Sequence, residues 1–273
     1  MSGLPALSRA VADLARRAGE AIMAVYAGAF AVELKGDASP LTAADLAAHR
    51  ILVAGLVALA PPWPVLSEES ADVPWTERQR WSRYWLVDPL DGTREFVKRN
   101  GEFTVNVALI DGHQPILGVV LAPVSGELAL AWQGGGAWRE AGPGATPQRL
   151  HSRALPAQPM VAGSRSHASP AEQALLARLG PHEALALGSS LKFLRLAAGA
   201  ADLYVRLGPT SEWDTAAAQC VLEEAGGAVF GLDGAALAYN AKASLLNPHF
   251  VAVGDPAQDW RTKLGLASGD PDA

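Results

Sequence analysis

The stretch Trp85-Leu86-Val87-Asp88-Pro89-Leu90-Asp91-Gly92-Thr93 places two carboxylates three residues apart at the end of an apolar run. A buried strand that projects Asp88, is stiffened by Pro89 and turns at Asp91-Gly92 would aim both acids and the Thr93 hydroxyl at one point. Hard divalent cations take such oxygen donors, backbone carbonyls like that of Leu90 included. An Asp-Gly pair alone is an ordinary turn, so the reading rests on the whole string. From Gly92 through Thr93 and Arg94 to Val97 the chain can open a helix, whose unpaired first amides would suit a phosphate.

Four further acids fit the same chemistry. Glu68 and Glu69 end the short apolar run Pro64 to Ser67. If that strand lies beside Tyr84 to Val87, Glu68 falls next to Asp88. Asp214 sits in Thr210-Ser211-Glu212-Trp213-Asp214-Thr215-Ala216-Ala217, where Ser211 and Asp214 also form a capping-box pattern. Asp45 follows Thr42 at the start of a second helical pattern and reads equally as a first-turn acid. Two strings could hold a non-reacting anionic part of a substrate: Ser164-Arg165-Ser166-His167 and Gly188-Ser189-Ser190-Leu191-Lys192. Each also reads as ordinary loop polarity or a serine N-cap. Gly134-Gly135-Gly136 lacks the P-loop lysine and is a turn.

The elements that must position these groups are visible in the periodicity. Leu4, Leu7, Val11, Leu14, Ala18, Ile22 and Val25 mark an amphipathic first helix. A strand-like stretch from Phe30 to Leu34 leads through Lys35-Gly36-Asp37 to a helix over Thr42 to Leu59, ended by Pro61, Pro62 and Pro64. Thr104 to Ile110, Pro115 to Leu121 and Glu127 to Trp132 are separated by Asp-Gly and Ser-Gly turns, the signature of an antiparallel meander. The Gly- and Pro-rich segment Glu140 to Gln148 divides the chain into 1–147 and 148–273. Beyond it, strands at Met160 to Ala162, Ala184 to Leu187 and Leu203 to Arg206 alternate with helices over Pro170 to Leu179, Ser190 to Ala198 and Glu212 to Ala225.

Composition narrows the function classes. With 49% apolar and 18% charged residues among 273, the chain reads as globular, neither disordered nor coiled coil. A net charge of −6 without a basic block argues against a nucleic-acid polymer as partner. The single cysteine, Cys220, admits no internal disulfide and suits a cytoplasmic protein. No apolar run reaches the ~18 residues needed to span a bilayer, which leaves peripheral contact with the inner face of the membrane open. Monomer and homodimer are equally compatible with the sequence.

Ser67-Glu68-Glu69-Ser70, the Trp85 to Thr93 string and Trp213-Asp214-Thr215-Ala216-Ala217 together resemble the three signature segments of the inositol monophosphatase superfamily. Arg94 to Asn106, Ser164 to His167 and Gly188 to Phe193 are similar to its bacterial CysQ branch, the 3′(2′),5′-bisphosphate nucleotidases. The resemblance spans Lys35-Gly36-Asp37 to Leu246-Asn247-Pro248. It implies a five-layer αβαβα sandwich and a phosphatase that uses two Mg²⁺. Glu68, Asp88 and the Leu90 carbonyl would hold one ion, and Asp88, Asp91 and Asp214 the other. Asp45 would orient Thr93 and touch a third, weaker ion, while Glu68 and Thr93 position and deprotonate the attacking water. Glu68, Asp91, Gly92, Thr93, Arg94, Asp214, Ser164, Arg165, Ser189 and Lys192 would meet the substrate.

The implied substrate is a small phosphorylated nucleotide, adenosine 3′,5′-bisphosphate, cleaved to AMP and phosphate in sulfur metabolism with sensitivity to lithium. 3′-Phosphoadenylyl sulfate, inositol monophosphate and a sugar phosphate are the alternatives within the superfamily, and a non-catalytic nucleotide sensor is the alternative outside it. One departure is Ala218, where the family has Gly, which would tighten any approach of backbone to phosphate there.

Overall fold

The computed structural model describes residues 3–29, 32–34, 40–59, 63–165 and 169–266. Lys35-Gly36-Asp37, Ser166-His167, Pro61-Pro62 and the tail from Ser268 lie outside them. In chain order the elements are α1 (Leu4–Tyr26), β1 (Val32–Leu34), β2 (Pro40–Thr42), α2 (Ala43–Leu59), β3 (Val65–Ser67), α3 (Trp75–Arg78), β4 (Arg83–Asp91), α4 (Thr93–Val97), β5 (Thr104–Asp111), β6 (Gln114–Ala122), β7 (Glu127–Trp132), β8 (Gly136–Glu140) and β9 (Gln148–Arg149). There follow β10 (Met160–Ser164), α5 (Pro170–Ala177), β11 (Glu183–Leu187), α6 (Leu191–Ala197), β12 (Leu203–Arg206), α7 (Glu212–Glu224), β13 (Ala228–Gly231), β14 (Phe250–Val253) and α8 (Trp260–Leu264). A single turn of 3₁₀ helix, Glu68–Ser70, follows β3.

Strand alternation builds the layers. Trp85, Val87, Val105, Val107 and Leu109 of β4 and β5 point into one core with Val11, Leu14, Ala18 and Ile22 of α1 and Ala44, Ala48, Leu52 and Leu56 of α2. Their strand neighbours Tyr84, Leu86, Ala108 and Ile110 point the other way, against Leu194 and Leu196 of α6 and Ala217, Cys220 and Val221 of α7. The sheet between those helix pairs has seven strands in the order β3-β4-β5-β6-β7-β8-β9.

The second sheet, β11-β10-β12-β14-β13, repeats the arrangement. Ala162, Tyr204, Phe250 and Ala252 face α6 and α7. Val161, Leu203, Val205, Val251 and Val253 face Leu175 of α5 and Trp260 and Leu264 of α8. The layers therefore run α1/α2, seven-stranded sheet, α6/α7, five-stranded sheet, α5/α8, the αβαβα sandwich. Phe193, Tyr204 and Phe250 pin α6 to the second sheet with ring centroids 5.4 to 5.9 Å apart, each pair contributing about 0.5–1.5 kcal/mol beyond area burial.

The Gly134 turn leads into a further meander strand, β8. One feature is not foreseen from the sequence. β13 and β14 make the far edge of the second sheet antiparallel, whereas β11, β10 and β12 run parallel. The middle helix layer lies close to the first sheet at Gly118 of β6, where a Cβ would stand 2.2 Å from the carbonyl oxygen of Ala217. Ala218 is fully buried in the core beside it, so the departure from the family pattern falls in packing and does not reach the cavity.

Candidate active site

Period-two alternation would send Asp88 and Asp91, three residues apart, to opposite faces of β4. A bulge prevents this. Asp88 pairs with Asn106 and Asp91 with Thr104, so three steps on β4 match two on β5. Pro89, which cannot donate to a ladder, sits in the bulge, and Leu90 turns into the α1/α2 core. Both aspartates thereby face α6 and α7. The chain then turns through Gly92 at φ +91°, a conformation that disfavours a side chain.

One carboxylate oxygen from each of Asp88, Asp91 and Asp214 lies within 4.8 Å of the others. Ser67 pairs in parallel with Val87, so Glu68 emerges beside Asp88 and shares a hydrogen bond with it. Asp88 is buried at 1% exposure. Burial first, then the charges of Glu68, Asp91 and Asp214, push its carboxyl well above the usual carboxylate range. Asp214 is raised in the same way, by desolvation and then by Asp91 and Glu68, against a smaller opposing pull from the Ser211 amide and Arg206. Converging carboxylates, two of them raised by burial and then by neighbouring negative charge, fit a hard divalent cation, which would reverse the local sign of the field.

Hydrogen bonds fix these carboxylates. Oδ2 of Asp91 accepts from the Ser190 amide at 2.7 Å, the Ser190 hydroxyl at 2.8 Å, and Thr104 Oγ1 and Asn106 Nδ2 at 3.3 Å each. Asp214 Oδ2 accepts from the Ser211 amide at 2.9 Å, so this residue both caps α7 and joins the cluster. Asp45 likewise serves two ends. Its Oδ2 takes the Thr42 amide and hydroxyl, each at 2.7 Å, and its Oδ1 lies 3.2 Å from Thr93 Oγ1. The Thr93 hydroxyl has the Leu90 carbonyl as a second acceptor at 3.2 Å.

Glu68, Asp91, Gly92, Thr93, Arg94, Ser164, Ser189, Lys192 and Asp214 all line one cavity of about 650 Å³ between the two sheets, walled in part by Trp213. Lys192 is 6% exposed, and its ammonium donates to the Ser189 and Leu187 carbonyls at 2.6 and 3.4 Å. Burial lowers its pKa to about 8. Ser189 adopts φ +46° with its hydroxyl buried and unpartnered, against the Gly92 turn. Arg165 is not among the lining residues. It forms a two-pronged pair with Glu102, 2.7 Å for each bond, and also donates to the Ala186 carbonyl at 2.8 Å.

The sequence places Ser190 in a substrate-binding string and Thr104 and Asn106 in the family-like segment, but not beside Asp91, because that link exists only through long-range contacts. Sequence reasoning passes over Arg206, which lines the cavity from the end of β12. The alternation of Tyr204 with Arg206 on one face of that strand was the available signal.

Comparison with known proteins places this geometry. A model of the inositol monophosphatase family matches residues 6–262. The chain is 52% identical over 243 residues to the 3′(2′),5′-bisphosphate nucleotidase CysQ of Escherichia coli O157:H7, covering 88% of this chain and 96% of that one. It is 37% identical over 250 residues to CysQ of Haemophilus influenzae, covering 91% and 93%. Among solved structures, CysQ from Bacteroides thetaiotaomicron aligns with a TM-score of 0.80 at 39% identity over 91% of this chain and 97% of that one. An inositol monophosphatase from Zymomonas mobilis, 23% identical and covering 97% and 99%, shares the fold with a TM-score of 0.77. With its layers, its bulged aspartate pair and these relatives, the chain belongs to the inositol monophosphatase family.

Proposed function

We propose that the chain is a Mg²⁺-dependent phosphomonoesterase that removes the 3′-phosphate of adenosine 3′,5′-bisphosphate to give AMP and phosphate. The convergence of Asp88, Asp91 and Asp214, the last two of which line the cavity, carries the chemistry, and the 52% identity to a named bisphosphate nucleotidase carries the substrate class. Glu68, Asp88, the Leu90 carbonyl, Asp91 and Asp214 are the residues that would hold two Mg²⁺, with Asp45 near a third, weaker position. Bound Mg²⁺ supplies a lowered pKa for the attacking water and charge neutralisation at the leaving oxygen.

The chain's own groups do the rest. Asp45 takes the Thr93 hydroxyl proton into a hydrogen bond, which leaves a lone pair of Thr93 Oγ1 to accept a proton from the water. Glu68, beside Asp88, would help to position that water. The Gly92 turn sets the first backbone amides of α4 against the phosphoryl oxygens. As the water oxygen bonds to phosphorus and the bond from phosphorus to the ribose 3′-oxygen breaks, one water proton passes to Thr93 Oγ1 while the Thr93 proton passes to Asp45; the leaving oxygen takes a proton from solvent, to which Asp45 then returns its own.

On the substrate side, Arg94, Ser164 and Ser189 line the cavity as contacts, Lys192 acts through the Ser189 carbonyl, and Arg165 acts at one remove by steadying Glu102. We assign the metal ligands chiefly to residues 1–147 and substrate selection chiefly to residues 148–273, with Asp214 crossing between them. A cytoplasmic location is part of the reading, in keeping with the single, buried Cys220. Among the described residues no helix is long and apolar enough to cross a membrane.

Turnover of adenosine 3′,5′-bisphosphate against inositol 1-phosphate on the purified chain tests the substrate assignment. A higher kcat/KM for the nucleotide is expected, and preference for the inositol ester overturns it.

A further inference from the structure

Asp45 of α2 has a place in the reaction above; His49, one turn further along the same helix, has none. Its Nδ1 lies 2.9 Å from the hydroxyl of Ser67. Ser67 is fully buried at the end of β3, and among the described residues the His49 ring is the only partner of its hydroxyl.

Ser67 is the N-cap of the 3₁₀ turn Glu68–Ser70, at φ −113° and ψ 144°, where a serine hydroxyl ordinarily accepts from the amides of the turn that follows. It makes no such bond here. The hydroxyl is committed to α2 instead, so the chain is fixed twice just before Glu68. The ladder holds its backbone, with Ser67 paired in parallel with Val87, and His49 holds its side chain.

Glu68 comes next, lining the cavity and sharing a hydrogen bond with Asp88. Four residues before His49, Asp45 Oδ1 lies 3.2 Å from Thr93 Oγ1. The two groups assigned to the attacking water, Glu68 and Thr93, are thus both tied to one helix. That helix is a firm reference, because Ala44, Ala48, Leu52 and Leu56 are fully buried in the core it shares with α1 and β4. Burial lowers the His49 pKa from its ordinary 6.5, against a raising pull from Glu69 and with a further lowering from Arg50. At neutral pH the ring is uncharged, and Nδ1 accepts the Ser67 proton or donates its own according to the tautomer. Replacing the ring removes a hydrogen bond and not a charge.

Resting on the nucleotidase reading above, in which Glu68 holds Mg²⁺ and the attacking water, we propose that His49 is a positioning residue. Through the buried Ser67 hydroxyl it fixes where Glu68 enters the carboxylate cluster, and α2 thereby sets Glu68 and Thr93 at one spacing.

The test is the calorimetric Kd of Mg²⁺, measured without substrate on the wild-type chain, His49→Leu, His49→Asn, Ser67→Ala, His49→Leu combined with Ser67→Ala, and Glu68→Gln. Circular dichroism confirms that each is folded. His49→Leu keeps most of the bulk and loses the bond, and Kd should rise about tenfold, the lower end of the range for partners that orient metal ligands. His49→Asn, whose amide offers a donor and an acceptor near the place of Nδ1, should recover most of the loss. Ser67→Ala should match His49→Leu, and the combined variant should be no worse than either, because all three lack the same bond. An unchanged Kd in His49→Leu, with Mg²⁺ binding weakened in Glu68→Gln, overturns the assignment and leaves the parent reading intact. Losses that add in the combined variant, or no recovery in His49→Asn, also overturn it, since they mark a packing defect. If His49→Leu does not fold, an unchanged Kd in Ser67→Ala overturns the assignment and a tenfold rise supports it. Wild-type Mg²⁺ binding by Glu68→Gln removes Glu68 from the metal site, and the parent assignment of that ligand falls together with the positioning role.

Discussion

The amide and the hydroxyl of Ser190 converge on a single oxygen of Asp91, Oδ2, at 2.7 and 2.8 Å. The same hydroxyl lies 2.8 Å from the Asp214 carbonyl and accepts from Asn106 Nδ2 at 2.9 Å. Ser190 precedes α6 in the second half of the chain, yet it sets the aspect of a carboxylate on β4 in the first. Partners that orient ligand carboxylates typically change metal affinity or activity by about 10- to 100-fold when removed. Ser190→Ala, which keeps the amide bond and loses the hydroxyl, should raise the Mg²⁺ concentration for half-maximal activity about tenfold. Titration of activity against Mg²⁺ reads this, and Ser190→Thr should restore most of it.

Asp88 is the most deeply buried member of the cluster, and like charges surround it. Without a cation that arrangement opposes folding, because a buried carboxylate facing three others has lost its water and gained no counter-charge. Asp88→Asn should raise the melting temperature of chelator-treated protein by a few degrees and abolish the further rise that Mg²⁺ gives the wild type. Phosphatase activity should fall by about a thousandfold or more in the same variant. Thermal melts in EDTA and in Mg²⁺ provide the readout.

Lys192 gives the site a pH dependence with opposite signs in two measurements. Burial lowers its ammonium to about 8, below the ordinary 10.5 that it regains in the unfolded chain. Between those values the unfolded state binds the extra proton, so this residue adds stability as pH rises and withdraws it as pH falls back through about 8. Over the same rise the cavity loses a positive charge and the carbonyls of Ser189 and Leu187 lose their cationic partner. KM should therefore climb above about pH 8 while the Lys192 contribution to the melting temperature grows. Lys192→Met should remove both trends, as pH profiles of KM and of the melting temperature would show.

What could be read in advance divides along sequence separation. The meander and the amphipathic first helix follow from period and turn chemistry, which are local, whereas the pairing of the strand before Glu68 with the strand before Asp88 stays a condition in the sequence and is met by the parallel register of the two strands. The bulge at Pro89-Leu90 does not, because it is defined by Asn106 and Thr104 across the ladder. Capping and ligation compete as readings of Asp45 and Asp214, but each carboxylate caps with one of its two oxygens, so the two readings are not mutually exclusive. Arg165 and Lys192 carry the right charge in the right strings, but their partners, Glu102 and the Leu187 and Ser189 carbonyls, are set by folding. The antiparallel edge formed by β13 and β14 stayed hidden because their short runs carry no turn signal that fixes direction.

The central claim, that Asp88, Asp91 and Asp214 hold the cations that drive phosphate release, is tested most directly at Asp91. Phosphate release from adenosine 3′,5′-bisphosphate is measured against Mg²⁺ for the wild-type chain and for Asp91→Asn, with circular dichroism confirming that both are folded. The asparagine keeps an oxygen for the Ser190, Thr104 and Asn106 donors but lacks the charge that a cation needs. Mg²⁺-dependent release by the wild type and a loss of about three orders of magnitude or more in the folded variant is the predicted result. Near-normal release by Asp91→Asn, or wild-type release that ignores Mg²⁺, would contradict it.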